Sequence, residues 1–311
     1  MLGRRATILS FDLDYPALYY PADSGSLAGQ RRFVRATRVR LFALFAAALG
    51  GAWSWRAGSF DLFGLLGFVA FAIALGAATY LQATDPARSW YEARTASESI
   101  KTLTWRYIVG GDPFPLSLPE TAAEKLLRAR LAAVIDPDKL PAPSPSAPTK
   151  QITDRMRSVR ASSFEDRRAA YRDGRIEDQR GWYARKAVAN ERLKQTFTWV
   201  AIALELAGFV GAAFKAFGQV DVDLLGVFSA AAAGLAAWTQ ARSYADNQRA
   251  YSRNAYELGL IADELDGVSK ADWPRFVDEA ENAISTEHTQ WRAAKGLGAP
   301  RQRNAASAPE S

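Results

Sequence analysis

The chain has 311 residues, no cysteine, one histidine and a formal net charge of +6. This composition excludes almost all disulfides, thiolate nucleophiles, common zinc sites and histidine-based acid–base catalysis, so we expect no enzyme, no catalytic residue, no metal and no cofactor. Charged residues make up 23% of the chain, which is too polar for a transporter built mostly of lipid-embedded helices.

The first 40 residues contain no long apolar run, so we expect a cytoplasmic segment rather than a cleaved signal peptide. Ser26 is predicted to cap a helix through LAGQRRFVRATRVR, because a hydroxyl can accept a hydrogen bond from an unpaired N–H of the first turn. This helix brings five arginines and no acid to the start of the next apolar run: Arg31, Arg32, Arg35, Arg38 and Arg40.

Two apolar runs follow and predict a first transmembrane hairpin. Residues 62–84 carry no charge and are long enough to cross a hydrocarbon core of about 30 Å at about 1.5 Å per residue. Residues 41–55 are also uncharged but shorter, so they cross only if Arg38 and Arg40 reach one interface and the tryptophans at the other end reach the second. A buried core helix is the alternative for this run.

A second hairpin is predicted between Lys194 and Arg242. Residues 195–214 carry a single charge, Glu205, and residues 224–241 carry none. Each run has the length that a tilted helix needs to cross a bilayer. The link at residues 215–223 leaves room for little besides a turn.

The distribution of basic residues predicts the orientation of both hairpins. Five basic residues and one acid lie between residues 180 and 194, and five arginines precede the first run, whereas both short links mix basic and acidic residues. By the positive-inside rule, both hairpins enter the membrane from the cytoplasm and return to it. Basic residues beside crossings favour the lipid bilayer, not nucleic acid, as the partner.

Polar helical segments surround the hairpins. A helix is predicted to continue off the membrane after residue 84 and to stop at Gly110, Gly111 and Pro113. A short helix follows at residues 120–135, another helix runs from about residue 152 into the third crossing, and a last one begins near Trp273. The chain is therefore predicted to be all-α, a membrane protein with two transmembrane helical hairpins (four crossings) and long cytoplasmic amphipathic helices.

The predicted divisions follow from these elements and from the Pro/Ser-rich string PAPSPSAP. They are an N-terminal cytoplasmic segment with a basic helix (1–40), the first transmembrane hairpin (41–84), cytoplasmic helices (85–135), a linker (136–150), a cytoplasmic helix (151–194), the second transmembrane hairpin (195–241), C-terminal cytoplasmic helices (242–295) and a disordered tail (296–311).

The two halves of the chain repeat one pattern. WRAGSFDLFG at 55–64 aligns with FKAFGQVDVDLLG at 214–226, and ARTASE at 93–98 aligns with SRNAYE at 252–257. Both halves have a basic helix, a crossing, a short link with Asp before LxG, a second crossing and an amphipathic helix. The shared order indicates a parallel duplication of a two-crossing unit.

Several longer strings resemble the SLATT superfamily, bacterial two-helix membrane effector domains, here as a tandem of two units. The first unit is similar through YPALYYPAD and through RSWYEARTASESIKTLTWRYIVGGDPF at 88–114. The second is similar through QITDRMRSVR and AAYRDGRIEDQRGWYARKAVAN. The resemblance extends from about residue 10 to residue 265.

The resemblance implies an effector of a bacterial conflict system that responds to phage, triggered by nucleotide messengers or by a sensor protein. It implies pore formation, with a sensor or nucleotide-signalling protein as candidate partner. Together with the charge asymmetry, it leads us to expect a homo-oligomer in the bacterial inner membrane, a multi-pass chain with both termini cytoplasmic. Because no phosphate-binding GxxxxGK[ST] or GxGxxG string is present, direct nucleotide binding has little support.

The family motifs mark a set of residues on the cytoplasmic helices. We expect them either to pack within a bundle formed by the two halves or to contact a sensor protein or nucleotide. They are Arg94, Glu98, Lys101, Trp105, Arg106, Tyr107, Gln179, Trp182 and Tyr183.

Glu205 is the candidate intramembrane residue, because an ionisable group at mid-bilayer is costly and marks function by default. It lines a water-filled path between protomers that favours cations, or it is protonated and bonds Ser229 or another helix. A third interpretation is an ordinary surface glutamate on a soluble bundle.

Small residues four positions apart predict close helix packing in both crossings of the second hairpin. The contact could lie within one chain or between chains. The candidate packing residues are Gly208, Gly211, Gly226, Ala230 and Gly234.

Three functions therefore stay open. The first is a pore-forming effector that oligomerises on a partner signal. The second is a membrane-anchored scaffold that recruits cytoplasmic partners without conducting ions. The third is a soluble helical bundle with apolar core hairpins.

Overall fold

The computed structural model of the protein describes residues 13–134, 148–220 and 222–294. Within these ranges the chain forms ten α-helices, one π-helical segment and a hairpin of two short strands. In order they are α1 (Tyr19–Ala52), β1 (Arg56–Ala57), β2 (Phe60–Asp61), α2 (Leu62–Thr84), α3 (Pro86–Val109), α4 (Glu120–Val134), α5 (Asp154–Ala161), α6 (Phe164–Tyr171), the π-helical segment Arg172–Glu177, α7 (Asp178–Ala216), α8 (Leu224–Arg242), α9 (Tyr244–Leu265) and α10 (Trp273–Ala294). The tail expected at 296–311, and nearly all of the linker expected at 136–150, lie outside the described residues.

The first three long helices pack as one unit. Helix α1 contacts α3 through its N-terminal half and α2 through its C-terminal half. A Cβ atom on Gly29 would lie 2.8 Å from Cα of Trp90 in α3, and one on Gly50 would lie 2.7 Å from the backbone nitrogen of Gly67 in α2. Because side chains do not approach backbone so closely, glycine is required at both contacts.

The second unit has the same arrangement. Helix α7 contacts α9 through its N-terminal half, where Trp182 packs on Tyr251, and contacts α8 through its C-terminal half. Helix α1 also contacts α8, and this contact joins the two units. The order of packing therefore agrees with the duplication predicted from the sequence.

In both units the helical conformation is interrupted at the same place, between the second and the third helix. Asp85 separates α2 from α3 with φ of 36°, and Ser243 separates α8 from α9 with φ of 50°. They are the two non-glycine residues with positive φ in the described chain. L-residues adopt this conformation at an energetic cost. The helix expected to continue off the membrane after residue 84 is therefore a new helix with its own start.

The link between α1 and α2 is fixed by one carboxylate. Oδ1 of Asp61 accepts a hydrogen bond from the Gly64 N–H at 3.1 Å, and Oδ2 accepts one from the Ser54 hydroxyl at 2.8 Å. These two hydrogen bonds lower the pKa of Asp61. The Asp before LxG is thus the cap of α2, as expected for a residue whose side chain accepts from the first turn.

The large buried side chains are concentrated among the polar helices. The bulkiest are Trp105, Tyr107, Tyr171, Tyr183 and Phe114. By contrast, three helical stretches are long and apolar enough to cross a membrane, namely Leu62–Thr84, Phe164–Ala216 and Leu224–Leu265, and at most 11% of their most apolar windows is buried. Both short links are exposed as well, at Ser59 and at Gln219.

The observed helices confirm the all-α class and correct three details. Ser26 does not cap a helix, because α1 begins at Tyr19 and Ser26 is buried within it. The helix starts early because backbone N–H groups just before it are bound by a segment more than 130 positions further along the chain, Ala17 to the Lys150 carbonyl at 3.0 Å and Leu18 to the Gln151 side chain at 3.2 Å.

The run at residues 41–55 is not a separate helix but the end of α1, which stops at Ala52. It is not among the three stretches that meet the length and hydropathy needed for a crossing. The helix expected from residue 152 is interrupted after Ala161, because the Ser163 hydroxyl accepts from the Asp166 N–H and starts α6. The predicted stop at Gly110 is confirmed, with φ of 76°.

Candidate functional site

Two of the predicted small residues lie in the contact between α7 and α8. A Cβ atom on Gly211 would lie 2.7 Å from Cβ of Leu224, and one on Gly208 would lie 3.3 Å from Cβ of Phe228. Both glycines are buried. They therefore serve the close approach of the two helices within one chain.

The small residues of α8 behave differently. A Cβ atom on Gly234 would meet nothing within 4 Å, and the three atoms nearest to one on Gly226 all belong to Asp223 in the preceding turn. Gly226 is exposed and Ala230 is half-buried. The two glycines of the row Gly226, Ala230 and Gly234 are thus not used for packing between α7 and α8. The role of this row in association with another helix stays a prediction.

Glu205 and Ser229 lie on the exposed surface of the same helix pair. The structure does not bring them together, because no hydrogen bond within the described residues joins one to the other. The surface of α7 beside Glu205 is apolar and exposed, with Leu206 and Phe209 at 61% and 72% exposure. Glu205 therefore projects from a surface that would otherwise suit lipid.

A buried ion pair lies where the two units meet the last helix. Arg175, in the π-helical segment, donates from Nε to Oε1 of Glu281 at 2.9 Å and from Nη2 to Oε2 at 2.7 Å. The Thr102 hydroxyl donates to Oε2 at 2.8 Å and the Tyr171 hydroxyl donates to Oε1 at 3.2 Å. These four buried residues, called here the α10 junction, connect α3, the end of α6, the π-helical segment before α7 and α10 through one carboxylate.

Helix α10 also covers the end of α3. Nη2 of Arg106 lies 2.9 Å from Oδ1 of Asp278 and donates to Oδ1 of Asn282 at 2.9 Å. Trp273 donates its indole N–H to the carbonyl of Val109 at 2.8 Å. Helix α3 of the first unit therefore binds α10 at two places, at its first residue and at the later residues Asp278 and Asn282.

The motif residues Glu98, Lys101 and Trp105 face the N-terminal segment. Nζ of Lys101 lies 3.2 Å from Oε1 of Glu98 and 5.5 Å from the centre of the Tyr19 ring. Trp105 is buried and donates its indole N–H to the Tyr15 hydroxyl at 3.2 Å. These residues hold the segment of Tyr15 and Tyr19 against α3.

Tyr107 lies in the core beside a guanidinium that the sequence did not single out. Arg160 of α5 donates from Nη1 to the carbonyls of Tyr107 and Phe114 at 2.6 and 2.9 Å, and from Nη2 to the carbonyl of Pro115 at 3.1 Å. Burial lowers the pKa of Arg160. The Tyr107 carbonyl belongs to the last turn of α3, where helical partners are missing, and the other two carbonyls belong to the loop that follows, so Arg160 ties the loop to the end of the helix.

The remaining motif residues join α3 to the second unit. The guanidinium of Arg94 lies 6.0 Å from the centre of the Trp182 ring. The rings of Trp182 and Tyr183 lie 5.5 and 5.8 Å from that of Tyr251 in α9. Gln179 is half-buried one turn earlier on α7. All nine motif residues thus lie within or beside contacts among the helices of one chain.

Sequence reasoning missed Arg160, Thr102 and Glu281. Glu281 belongs to an acid-rich helix and was not distinguished from its neighbours. A signal was present, since Val277, Ala280 and Ile284 form the apolar face of α10 and Glu281 falls at helical spacing on that face. A charge on the buried face of an amphipathic helix predicts a buried partner.

These features define a membrane protein of two helical-hairpin units joined by a packed body of polar helices. Residues 16–168 match the family described as SMODS and SLOG-associating 2TM effector domain 3, and residues 171–291 match SMODS and SLOG-associating 2TM effector domain 1. The chain belongs to this family, the SLATT domains, and carries two of them in tandem. No curated protein and no solved structure matches the chain.

The family matches move one boundary. The first match extends to residue 168, so QITDRMRSVR, which the resemblance assigned to the second unit, belongs to the first domain. The contacts of Arg160 give the physical reason. Helix α5 completes the core of the first domain around the end of α3, although it follows the linker in the chain.

Proposed function

We propose that this protein is a pore-forming effector of a bacterial conflict system, embedded in the inner membrane by four crossings. The observation that carries the proposal is the contrast in burial between apolar and polar helices. The most apolar windows are no more than 11% buried, whereas the polar helices enclose a core that contains a fully enclosed carboxylate. The match of the chain to two 2TM effector domains supports the same function.

Helix α1 supports the count of four crossings, although its apolar part is short. Its contacts with α3 at Gly29 and with α2 at Gly50 are 21 positions apart, which is about 31 Å along a helix. Since α2 and α3 are consecutive, α1 follows both from the polar body to the far end of α2. If α2 crosses the bilayer, α1 crosses beside it.

The polar helices would then lie on the cytoplasmic side with both termini, where a signal can reach them. The α10 junction links α10 to the π-helical segment that leads into α7. A sensor or nucleotide-signalling protein that displaces α10 would expose Arg175 and disturb the start of a helix that enters the membrane. Insertions of this π-helical kind often occur at functional positions.

Pore formation would use surfaces that one chain leaves open. The row of Gly226, Ala230 and Gly234 allows close approach of a helix from another protomer. Glu205, exposed on the neighbouring helix, would line a water-filled path in the resulting homo-oligomer and favour cations.

The experiment is ion flux in liposomes that contain the purified full-length chain, with its candidate partner added. We expect cation leakage from wild type and a loss of cation preference in Glu205→Gln. Glu191→Gln is the matched control, because Glu191 lies on the same helix before the apolar run and pairs with Lys194. Intact liposomes under activating conditions would contradict the pore.

A membrane-anchored scaffold is the second candidate. It is favoured by the polar body itself, in which α9 exposes Tyr256 and Leu260, one turn apart, at 78% and 67%. A scaffold requires no intramembrane charge. Glu205→Gln and Glu205→Leu would then leave cellular activity unchanged, whereas Tyr256→Ala would reduce it.

A further inference from the structure

An aromatic and cationic cluster lies where the two units meet at the polar ends of their apolar helices. The guanidinium carbon of Arg38, in α1, lies 5.2 Å from the centre of the Trp238 ring in α8. That of Arg242, the last residue of α8, lies 5.8 Å from the same ring and 5.8 Å from the ring of Tyr244. We call Arg38, Trp238, Arg242 and Tyr244 the junction cluster.

The two arginines of the junction cluster have no acidic partner in the part of the chain that the structure describes. Nε of Arg242 is buried without a hydrogen-bond acceptor. Two acids on the adjoining helices α7 and α9 pair with other cations, Glu191 with Lys194 and Asp246 with Arg249. A guanidinium has five donors, and leaving a buried donor unsatisfied is costly. The chemistry of the cluster therefore calls for an anion.

The position of the cluster decides which anion fits. Arg38 lies three residues before the apolar end of α1, and Trp238 and Arg242 lie in the last turn and a half of α8. Arginine and tryptophan at the ends of crossings meet the headgroup layer, and guanidinium groups bind phosphate through two parallel hydrogen bonds. A free phosphate would leave the adjoining exposed apolar surface in contact with water, whereas the acyl chains of a phospholipid would cover it.

We propose that the junction cluster binds the phosphate of an anionic phospholipid in the cytoplasmic leaflet, and that this lipid holds the two units together. The site joins α1 of the first domain to α8 of the second, so its occupant stabilises the contact between domains. The inference depends on the membrane insertion proposed above. It does not depend on ion conduction.

The test uses the purified full-length chain in nanodiscs of phosphatidylcholine alone or with phosphatidylglycerol. Native mass spectrometry measures the phosphatidylglycerol that stays bound, and thermal unfolding measures the stabilisation. We expect wild type to retain phosphatidylglycerol and unfold at a higher temperature in its presence. Arg38→Gln and Arg242→Gln should each retain about tenfold less, as expected for loss of a charge-assisted contact.

The matched control is Arg40→Gln, which removes the same charge close to Arg38 but has no aromatic partner in the junction cluster. Equal loss of lipid in this control would overturn the site in favour of general surface charge. Stabilisation by inorganic phosphate in neutral nanodiscs would overturn the choice of a lipid. Recovery of the chain without detergent, in the soluble fraction, would instead refute membrane insertion. Leakage assays that fail while lipid stays bound would refute the pore alone.

Discussion

The polar helices and the apolar helices of this chain are held together by different interactions. Among the polar helices, aromatic rings and aliphatic side chains are removed from water around a network of charged hydrogen bonds. Between the apolar helices, glycines allow the close contacts, as where Gly50 meets the backbone of Gly67 and where Gly211 meets the side chain of Leu224. This difference is expected if water is the solvent of one region and lipid that of the other, because burial of apolar surface drives packing only in water.

The largest expected effect comes from the α10 junction. Glu281→Leu leaves Arg175 buried without its partner, and we expect a loss of about 3–5 kcal/mol in stability of the polar body. Thermal unfolding followed by tryptophan fluorescence measures it, since Trp105 and Trp273 lie in this core.

The control for this change is Glu279→Leu, an exposed acid on the same helix. The double variant Arg175→Met with Glu281→Leu should recover much of the loss, because no charge is left buried. Equal stability of Glu281→Leu and wild type would show that the ion pair does not hold α10 in place.

The second effect concerns the apolar helices and uses two adjacent glycines. A methyl group on Gly50 would meet backbone atoms of Gly67 and Phe63 at 2.7 Å, whereas one on Gly51 would meet nothing within 4 Å. We expect Gly50→Ala to destabilise the pair α1 and α2 by about 1–3 kcal/mol, because backbone cannot yield as a flexible side chain can.

Gly51→Ala should be neutral or slightly stabilising, since alanine is the better helix former. Unfolding of both variants in nanodiscs, followed by circular dichroism, gives the comparison. If both glycines tolerate alanine equally, the close approach of α1 and α2 is wrong.

The smallest effect concerns the two helix interruptions, at Asp85 and Ser243, that separate the apolar helices from the polar helices. Ser243 adopts a left-handed conformation that glycine adopts without strain, so Ser243→Gly should stabilise the protein by about 1 kcal/mol. Ser243→Gly also loses the hydrogen bond from the Ser243 hydroxyl to the Gln240 carbonyl. Asp85→Gly should gain less, because the hydrogen bond that it loses, from the Arg88 N–H to the Asp85 carboxylate, caps the start of α3.

A glycine placed inside a helix is the control for the glycine substitutions at Asp85 and Ser243. Ser252→Gly, in the middle of α9, should destabilise by about 0.5–1 kcal/mol. The sign of the change in unfolding temperature separates the two cases. Destabilisation by Ser243→Gly would contradict a strained break at this position.

Much of the helical architecture follows from local sequence. The uncharged run of α2, the stop at Gly110 and the order of elements in both halves follow from hydropathy, breakers and repetition within one stretch of chain. The helix pair α7 and α8 likewise follows from two apolar runs and a short link, whereas the sequence left open whether Gly208 and Gly211 meet a helix of the same chain or of another. The early start of α1 does not follow from local sequence, because the groups that bind its first residues come from Lys150 and Gln151.

By itself, the sequence determined where apolar helices form and that two similar units follow each other, because period, length and charge are properties of neighbouring residues. The tertiary structure decided which charges are buried together, which glycines meet backbone and which small residues stay open. Glu281 resembles any other acid of α10 until Arg175 is brought to it from 106 positions away. Such contacts depend on the path of the whole chain, which no single stretch encodes.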